Sequence, residues 1–198
     1  MSANLVLRGR RVGLLGGSFN PAHAGHLAIS LDALRLLSLN EVWWLVSPQN
    51  PLKSPDEMAS FETRKAGAEA LVAGERIRIS DFERRAGTRF TADTIGLLSR
   101  RYPDLQFVWL MGADNLVQFH RWQHWRKIAA SVPIAVFDRP GCTYPALASR
   151  FAQCYRRQRC RLPRALAGTP PPAWSFLFTR RRTISATELR RRRPKKSS

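Results

Sequence analysis

The sequence predicts an α/β protein with a doubly wound, mainly parallel sheet and helices on both faces of that sheet. Apolar runs such as residues 41–46 and 105–111 lack the polar alternation of half-exposed strands, which indicates strands buried on both faces. Segments with helical spacing of apolar residues alternate with these runs along the chain. Parallel strands joined by right-handed helical crossovers follow from that alternation.

The first half of the chain shows this alternation most regularly. A short apolar run at 12–15 ends in a glycine-rich turn, and Leu27, Leu31 and Leu34 then recur at helical spacing. Three prolines mark 47–56 as a loop, and Gly74 stops the helix that precedes it. The predicted elements are strand 12–15, a helix from Ala24, strand 41–46, helix 61–73, strand 76–80 and helix 91–102.

The second half continues the pattern with one interruption. Between residues 138 and 172 the periodicity fails, and a long excursion and a short helix around 150–159 both remain open. The other predicted elements are strand 105–111, helices 113–119 and 122–130, strands 133–137 and 174–178, and a helix from Ser185. We therefore predict one Rossmann-like domain over 1–190 and a basic, disordered tail over 191–198.

Composition and charge exclude several classes of protein. A hydrophobic share of 44% is enough for a core, so the chain is not a disordered basic polypeptide. No apolar run approaches the roughly 18 residues of a membrane span, and no secretory signal precedes the first strand, which predicts a cytoplasmic protein without membrane contact. The three cysteines form no CxxC pair and are interpreted as reduced thiols.

The charge is distributed unevenly. The net charge is +19, of which residues 1–99 contribute +2 (12 basic, 10 acidic) and residues 100–198 contribute +17 (21 basic, 4 acidic). Such an excess favours an anionic partner, and a nucleic-acid-binding protein is therefore the competing class. The aromatic residues lie in predicted strands and helices instead of among the basic residues, so we expect at most non-specific nucleic-acid binding.

The first segment with chemical meaning joins the first strand to the first helix and reads GGSFNPAHAGH over residues 16–26. At the carboxyl end of a parallel strand, a helix N-terminus offers free amides to a phosphate. His23 and His26 face the same side of the first turn and can donate hydrogen bonds to phosphate oxygens. A purely structural glycine turn and histidine pair explain the same residues about equally well. Without a third ligand nearby, we assign no metal to the pair.

The second segment lies near the end of the chain. Ser185 and Glu188 are spaced as a helix capping box, which alone is more often structural than functional. Ser185, Thr187 and Arg190 would lie around the first turns of that helix, where hydroxyls, amides and a guanidinium suit an anion. Two such helix starts in one domain suit a triphosphate, which is long enough to contact both.

Together these segments resemble the two signatures of the nucleotidyltransferase superfamily with the (T/H)xGH motif, and specifically those of bacterial nicotinate-nucleotide adenylyltransferases. GGSFNPAHAGH is similar to the first signature and ISATELR, residues 184–190, to the second. Residues 88–94, 112–116, 119–122 and 138–141 resemble, in order, the family's SYTxxTL, GxDxL, FxxW and RPG segments. Matches in this order from about residue 11 to 190 are more specific than any one motif.

The resemblance implies adenylyl transfer from ATP to nicotinate mononucleotide, with nicotinate adenine dinucleotide (deamido-NAD) and pyrophosphate as products, in NAD biosynthesis. It implies Mg²⁺ bound with ATP, and catalysis by alignment and charge neutralisation. His26, His23 and Arg190 are the implied catalytic residues. The implied ATP-binding residues are Gly16, Gly17, Ser18, Phe19, His23, His26, Gly112, Asp114, Ile184, Ser185, Thr187 and Arg190.

The resemblance also implies an acceptor site at Thr91, Trp122, Arg139 and Lys53. An indole face stacks on a pyridinium ring, and amides near Thr91 suit its carboxylate. Arg139 is the implied partner of the mononucleotide phosphate, and for Lys53 the same role and closure over the site both remain open. Taken without the family, Trp122 is more often a core aromatic. Transfer to a phosphopantetheine or choline-like phosphate is the alternative within the superfamily, and whether the chain forms a homo-oligomer stays open.

Overall fold

A computed structural model describes residues 9–48 and 58–179 of the chain. Within these residues six strands form one sheet: β1 (Arg11–Gly17), β2 (Glu41–Val46), β3 (Ile77–Ser80), β4 (Gln106–Gly112), β5 (Ile134–Phe137) and β6 (Trp174–Leu177). The strand order is β3-β2-β1-β4-β5-β6, and every pairing between described strands is parallel. The doubly wound, Rossmann-like class predicted from the sequence is confirmed.

Helices connect the strands. They are α1 (Ala24–Leu36), α2 (Phe61–Leu71), α3 (Phe82–Ala86), α4 (Thr91–Arg101), α5 (Ala113–Gln118), α6 (Trp125–Ser131), α7 (Thr143–Leu147) and α8 (Arg150–Cys154). Single 3₁₀ segments occupy Phe119–Arg121, Arg156–Gln158 and Pro163–Gly168. None of the described helices is both long and apolar enough to span a membrane.

Two apolar clusters fill the two faces of the sheet. Alternate residues of β4 divide between them, with Phe107 and Trp109 in the first cluster and Val108 and Leu110 in the second. Helices α4 and α6 pack in the first cluster, and helices α1 and α2 pack in the second. This division explains why the predicted strands are apolar without alternation.

Element boundaries are where prediction and structure differ most. The helix predicted over 122–130 begins only at Trp125, because its N-cap, His124, has the left-handed φ of 54°. The sequence analysis missed α3, whose five residues are too few to show a helical period. In the interrupted stretch, α7 and α8 are separated and followed by turns, so a short helix exists there but ends at Cys154. All three cysteines are free, as predicted.

Candidate active site

Two neighbouring strands of the sheet, β1 and β4, each end in a glycine. β1 ends at Gly17 and β4 ends at Gly112, and β1 pairs with β2 on one side and β4 on the other. The strand order therefore reverses between β1 and β4, and the crevice outside the carboxyl ends at such a point is where open α/β sheets bind ligands. Helices α1 and α5 begin at this crevice.

Aromatic packing fixes the loop that leaves β1. A Cβ on Gly16 would stand 2.6 Å from Cη2 of Trp109, so the close approach of that indole requires glycine at 16. Phe19 has a φ of 47°, and its ring is 1% exposed. The ring stacks on Trp44 at 4.8 Å and lies 4.8 Å from the His26 ring. Phe19 as a whole is therefore packed inside the loop, whereas Ser18 is half-buried at the loop surface.

The imidazoles of His23 and His26 accept hydrogen bonds from backbone amides at the N-terminus of α1. His23 is the N-cap, and its Nδ1 accepts a hydrogen bond from the Gly25 amide at 3.1 Å. The His23 amide donates to Nδ1 of His26 at 3.3 Å. The two ring centroids are 3.8 Å apart. Because each Nδ1 accepts, the proton of each neutral ring resides on Nε2, which leaves two N–H donors for a ligand.

The surroundings keep both rings neutral near pH 7. Burial, followed by the charge of Arg139, lowers the pKa of His23 to about 4. Burial lowers the pKa of His26 to about 3, with further contributions from His23 and Arg139. Two neutral hydrogen-bond donors beside a guanidinium are suited to a polyphosphate, since the donors require no proton exchange in order to bind it.

Arg139 and Asp114 form an ion pair at the end of β4. Nε of Arg139 lies 3.2 Å from Oδ1 of Asp114, and 46% of the Asp114 side chain is exposed. A Cβ on Gly112 would contact Asp114 Oδ1 and would stand 2.7 Å from Arg139 Nε. Glycine at 112 thus makes room for the pair. Arg139, which holds Asp114 in this pair, is close enough to the histidines for its charge to lower the pKa of both rings.

The predicted acceptor residues lie on neighbouring elements. Thr91 is the first residue of α4, which packs against α6, and Trp122 lies in the turn that precedes α6. The half-buried Trp122 indole makes edge contacts with Phe119 at 5.3 Å and Trp109 at 6.3 Å. This packing holds the half-buried indole beside Trp109.

Five predicted site residues have no structural account. Lys53, Ile184, Ser185, Thr187 and Arg190 lie outside the described residues. Their roles stay predictions. In the part of the chain that is described, no group of three or more His, Cys, Asp or Glu side chains is placed to hold a metal ion.

The sequence analysis missed two groups near the site. Arg64 on α2 is 3% exposed and donates to backbone carbonyls of the loops that follow β1 and β2. Its one sequence signal is the spacing Arg64, Ala68, Val72, which puts a cation on the buried stripe of a helix. The second is Glu83, which accepts a hydrogen bond from Thr94 at 3.2 Å and whose pKa is raised by burial to about 7.

Comparison with known proteins identifies the family. A family model described as cytidylyltransferase-like matches residues 14–192. A protein of Plasmodium falciparum, solved as nicotinic acid mononucleotide adenylyltransferase with NaAD, superposes with a TM-score of 0.72 at 16% identity, over 92% of this chain and 83% of that one. Fold, crevice and family model thus define a nucleotidyltransferase of the cytidylyltransferase-like class.

Curated relatives narrow that class. A Gluconobacter oxydans protein named "Probable nicotinate-nucleotide adenylyltransferase" is 53% identical over 91% of this chain and 93% of its own length. An Agrobacterium fabrum protein of the same name is 49% identical over 90% of this chain and 97% of its own. The chain belongs to the nicotinate-nucleotide adenylyltransferase family, which confirms the resemblance stated from the motifs.

Proposed function

We propose that the protein transfers the adenylyl group of ATP to nicotinate mononucleotide, releasing pyrophosphate and forming nicotinate adenine dinucleotide. The observation that carries the proposal is the pair of neutral imidazoles at the start of α1, each with Nδ1 engaged and Nε2–H free to donate. Relatives about 50% identical over nine-tenths of the chain carry the corresponding enzyme name.

The reaction needs no covalent bond to the protein. A phosphate oxygen of the mononucleotide attacks the α-phosphorus of ATP, and the bond from that phosphorus to the bridging oxygen of pyrophosphate breaks. Negative charge accumulates on the transferred group and on the leaving group. His26 and His23 donate to these phosphate oxygens from Nε2, and the positive end of the α1 dipole adds to the stabilisation. Catalysis then consists of alignment and charge stabilisation.

Arg139 and Asp114 would make polar contacts with different parts of the two substrates. The Arg139 guanidinium uses Nε for Asp114, so its terminal nitrogens stay available to a phosphate of the acceptor. The exposed part of the Asp114 carboxylate suits ribose hydroxyls of the adenosine. Because this ion pair is already formed, both side chains are in place before a nucleotide binds.

Trp122 and Thr91 would recognise the acceptor base. The half-buried Trp122 indole stacks on the electron-poor pyridine ring, and the first-turn amides of α4 receive its carboxylate. An amide in place of that carboxylate loses the charge that these amides stabilise. We therefore expect nicotinate mononucleotide to be preferred over its amide analogue.

Under this proposal Mg²⁺ binds together with the triphosphate of ATP. Phosphate oxygens are ligands that Mg²⁺ prefers, so the triphosphate itself would hold the ion. When bound, the ion neutralises part of the triphosphate charge. Ile184, Ser185, Thr187 and Arg190 are proposed, from the second signature alone, to hold the departing pyrophosphate.

Pyrophosphate release from MgATP tests the function directly. The purified protein is incubated with nicotinate mononucleotide, nicotinamide mononucleotide or phosphopantetheine, each at the same concentration. We expect the highest kcat/KM with nicotinate mononucleotide. Equal or greater activity with phosphopantetheine, or none with either pyridine mononucleotide, would refute the assignment.

A further inference from the structure

Arg64 is a buried cation outside the predicted nucleotide contacts. It lies on the first turn of α2 with 3% of its surface exposed, on the same helix stripe as Ala68 and Val72. The nearest acidic group on its helix, Glu62, is paired with Arg84 at 2.5 Å. Burial lowers the pKa of Arg64 from its usual value, although a guanidinium remains charged at pH 7.

Four backbone carbonyls receive the hydrogen bonds of this guanidinium. Nη1 donates to the carbonyls of Ser18 at 2.7 Å and Ser47 at 2.9 Å. Nη2 donates to the Pro48 carbonyl at 2.9 Å, and Nε to the Ala59 carbonyl at 3.0 Å. Carbonyl dipoles from separate stretches of the chain thus replace the water that a buried cation loses.

These carbonyls belong to the loops at the carboxyl ends of two adjacent strands. Ser18 lies between β1 and the histidine N-cap, and Ser47 and Pro48 directly follow β2. Further bonds tie the same stretches together. The Ser47 amide donates to the Gly17 carbonyl at 3.0 Å, and the Ala59 amide donates to Oδ1 of Asn20 at 3.4 Å.

The energetics favour a geometric role for this guanidinium. An apolar side chain of similar size could be buried here without desolvating a charge, and would leave four carbonyls to find other partners. The planar fork of arginine can hold several acceptors at fixed relative positions, which a flexible ammonium does less well. The Arg64 guanidinium therefore defines where the Ser18 carbonyl lies relative to the end of β2.

We propose that Arg64 is a positioning residue for the nucleotide site. By holding the Ser18 carbonyl against the turn after β2, it fixes the loop that delivers His23 and His26 to the phosphates of ATP. Arg64 does not itself contact the substrate. This inference rests on the proposed function only in taking ATP as the nucleotide. It does not depend on which acceptor the enzyme uses.

Four variants separate positioning from mere stability. Arg64→Met removes all four donors, and Arg64→Lys keeps the charge but cannot span four carbonyls. Ala68→Gly destabilises the same helix one turn later without touching a loop carbonyl, and Arg84→Met removes an exposed arginine paired with Glu62. Each variant is assayed at a temperature at which thermal unfolding scans show it to be fully folded.

We expect Arg64→Met to lower kcat/KM for MgATP by about 10²-fold, since misplacing reacting groups by an ångström costs that much. Arg64→Lys should lower it by roughly tenfold, mainly through a higher KM. Ala68→Gly and Arg84→Met should keep the KM of the unmodified protein. If Arg64→Met does not fold, the KM of Arg64→Lys decides the question.

Calorimetric binding of α,β-methylene-ATP, without any acceptor, makes the two proposals separately testable. The same ranking of the variants in nucleotide affinity is expected whichever acceptor the enzyme uses. Wild-type KM and affinity in Arg64→Lys, or a KM change in Ala68→Gly as large as that in the Arg64 variants, would overturn the positioning role. Failure to use nicotinate mononucleotide, with the ranking intact, would overturn only the proposed function.

Discussion

Ionisable groups inside the domain and on one of its surfaces behave in opposite ways. His23, His26, Arg64 and Glu83 are each held by specific hydrogen bonds, and burial shifts the pKa of every one of them. The surface between residues 150 and 164, here called the arginine surface, exposes Arg150, Arg156, Arg157, Arg159, Arg161 and Arg164. No ion pair between described residues includes any of these six.

The contrast shows what net charge does and does not indicate. Residues 139–179 contain seven arginines and no acidic residue, so this stretch contributes +7 to the chain's net charge of +19. At the crevice, by contrast, the described cation Arg139 is paired with Asp114 and lies beside two neutral imidazoles. Placement in the fold, and not the number of basic residues, therefore distinguishes the site from the surface.

Replacing His26 should produce the largest effect. We expect His26→Ala to lower kcat by about 10²-fold or more, because the Nε2 donor to the transferred phosphoryl group is lost. Loss of the His23 amide's acceptor should cost stability of only about 1 kcal/mol, as for other N-terminal caps. Steady-state kinetics and a thermal unfolding scan measure the two effects.

His124→Ala is the control for that prediction, because His124 is exposed and is not one of the predicted site residues. It should leave kcat unchanged. A stability loss in His26→Ala large enough to account for the lost activity would return His26 to a structural role.

The histidine pair should make stability depend on pH. The folded pKa values of about 4 and about 3 lie below the unfolded value near 6.5, so the unfolded chain binds more protons between these limits. The pair's contribution is complete above about pH 6.5 and is lost as pH falls towards 4. Urea denaturation at pH 7.5, 6.0 and 5.0 should show a smaller loss in His26→Gln than in the unmodified protein. An identical loss in both proteins would contradict the burial of the neutral ring.

Glu83 should make stability depend on pH in the opposite direction to the histidine pair, over an overlapping pH range. Its folded pKa of about 7 lies above the usual carboxyl value of 4.5, so the stability linked to its protonated form is present below about pH 4.5 and lost as pH rises through 7. The stability of Glu83→Gln relative to that of the unmodified protein should therefore increase from pH 5 to pH 8. The same difference in stability at both pH values would show that the carboxyl ionises normally.

The arginine surface should give the smallest effect on catalysis. Substituting Arg150, Arg156, Arg157 and Arg161 together by serine should change kcat by no more than about twofold, as surface substitutions usually do. Arg159 is kept because its guanidinium lies over the Trp174 ring at 5.3 Å.

The same variant should bind polyanions less well. We expect elution from heparin at lower salt, with the salt dependence of binding reduced by about one for each arginine that contacts a phosphate or sulfate. A tenfold loss of kcat with unchanged heparin binding would reverse the distinction between site and surface.

Local features of the sequence predicted the parts of the site that local features build. The strand, the glycine loop and the start of the helix follow one another within residues 11–26, so periodicity and turn-forming residues were enough to locate them; the N-cap role of His23 was not predicted. The parallel pairing of the strands was also predicted from local patterns, because buried strands that alternate with helices are joined by crossover connections.

Contacts between distant residues could not be predicted in this way. The carbonyl partners of Arg64 lie 46, 17, 16 and 5 residues away, and nothing in the residue types Ser18, Ser47 and Pro48 indicates a cation partner. The ion pair of Asp114 with Arg139 likewise depends on the adjacency of β4 and β5. Both residues were predicted as ligand contacts, but not as partners of each other.

The most direct measurement of the central claim is the protonation state of the two crevice histidines, by ¹⁵N-detected NMR of protein labelled in its four histidines, with His23 and His26 assigned from variants. We predict that both rings are neutral at pH 7, carry their proton on Nε2, and show no titration between pH 8 and pH 5. A ring protonated on Nδ1, or one that titrates near pH 6.5, would contradict the account of two neutral donors aimed at the phosphates of ATP.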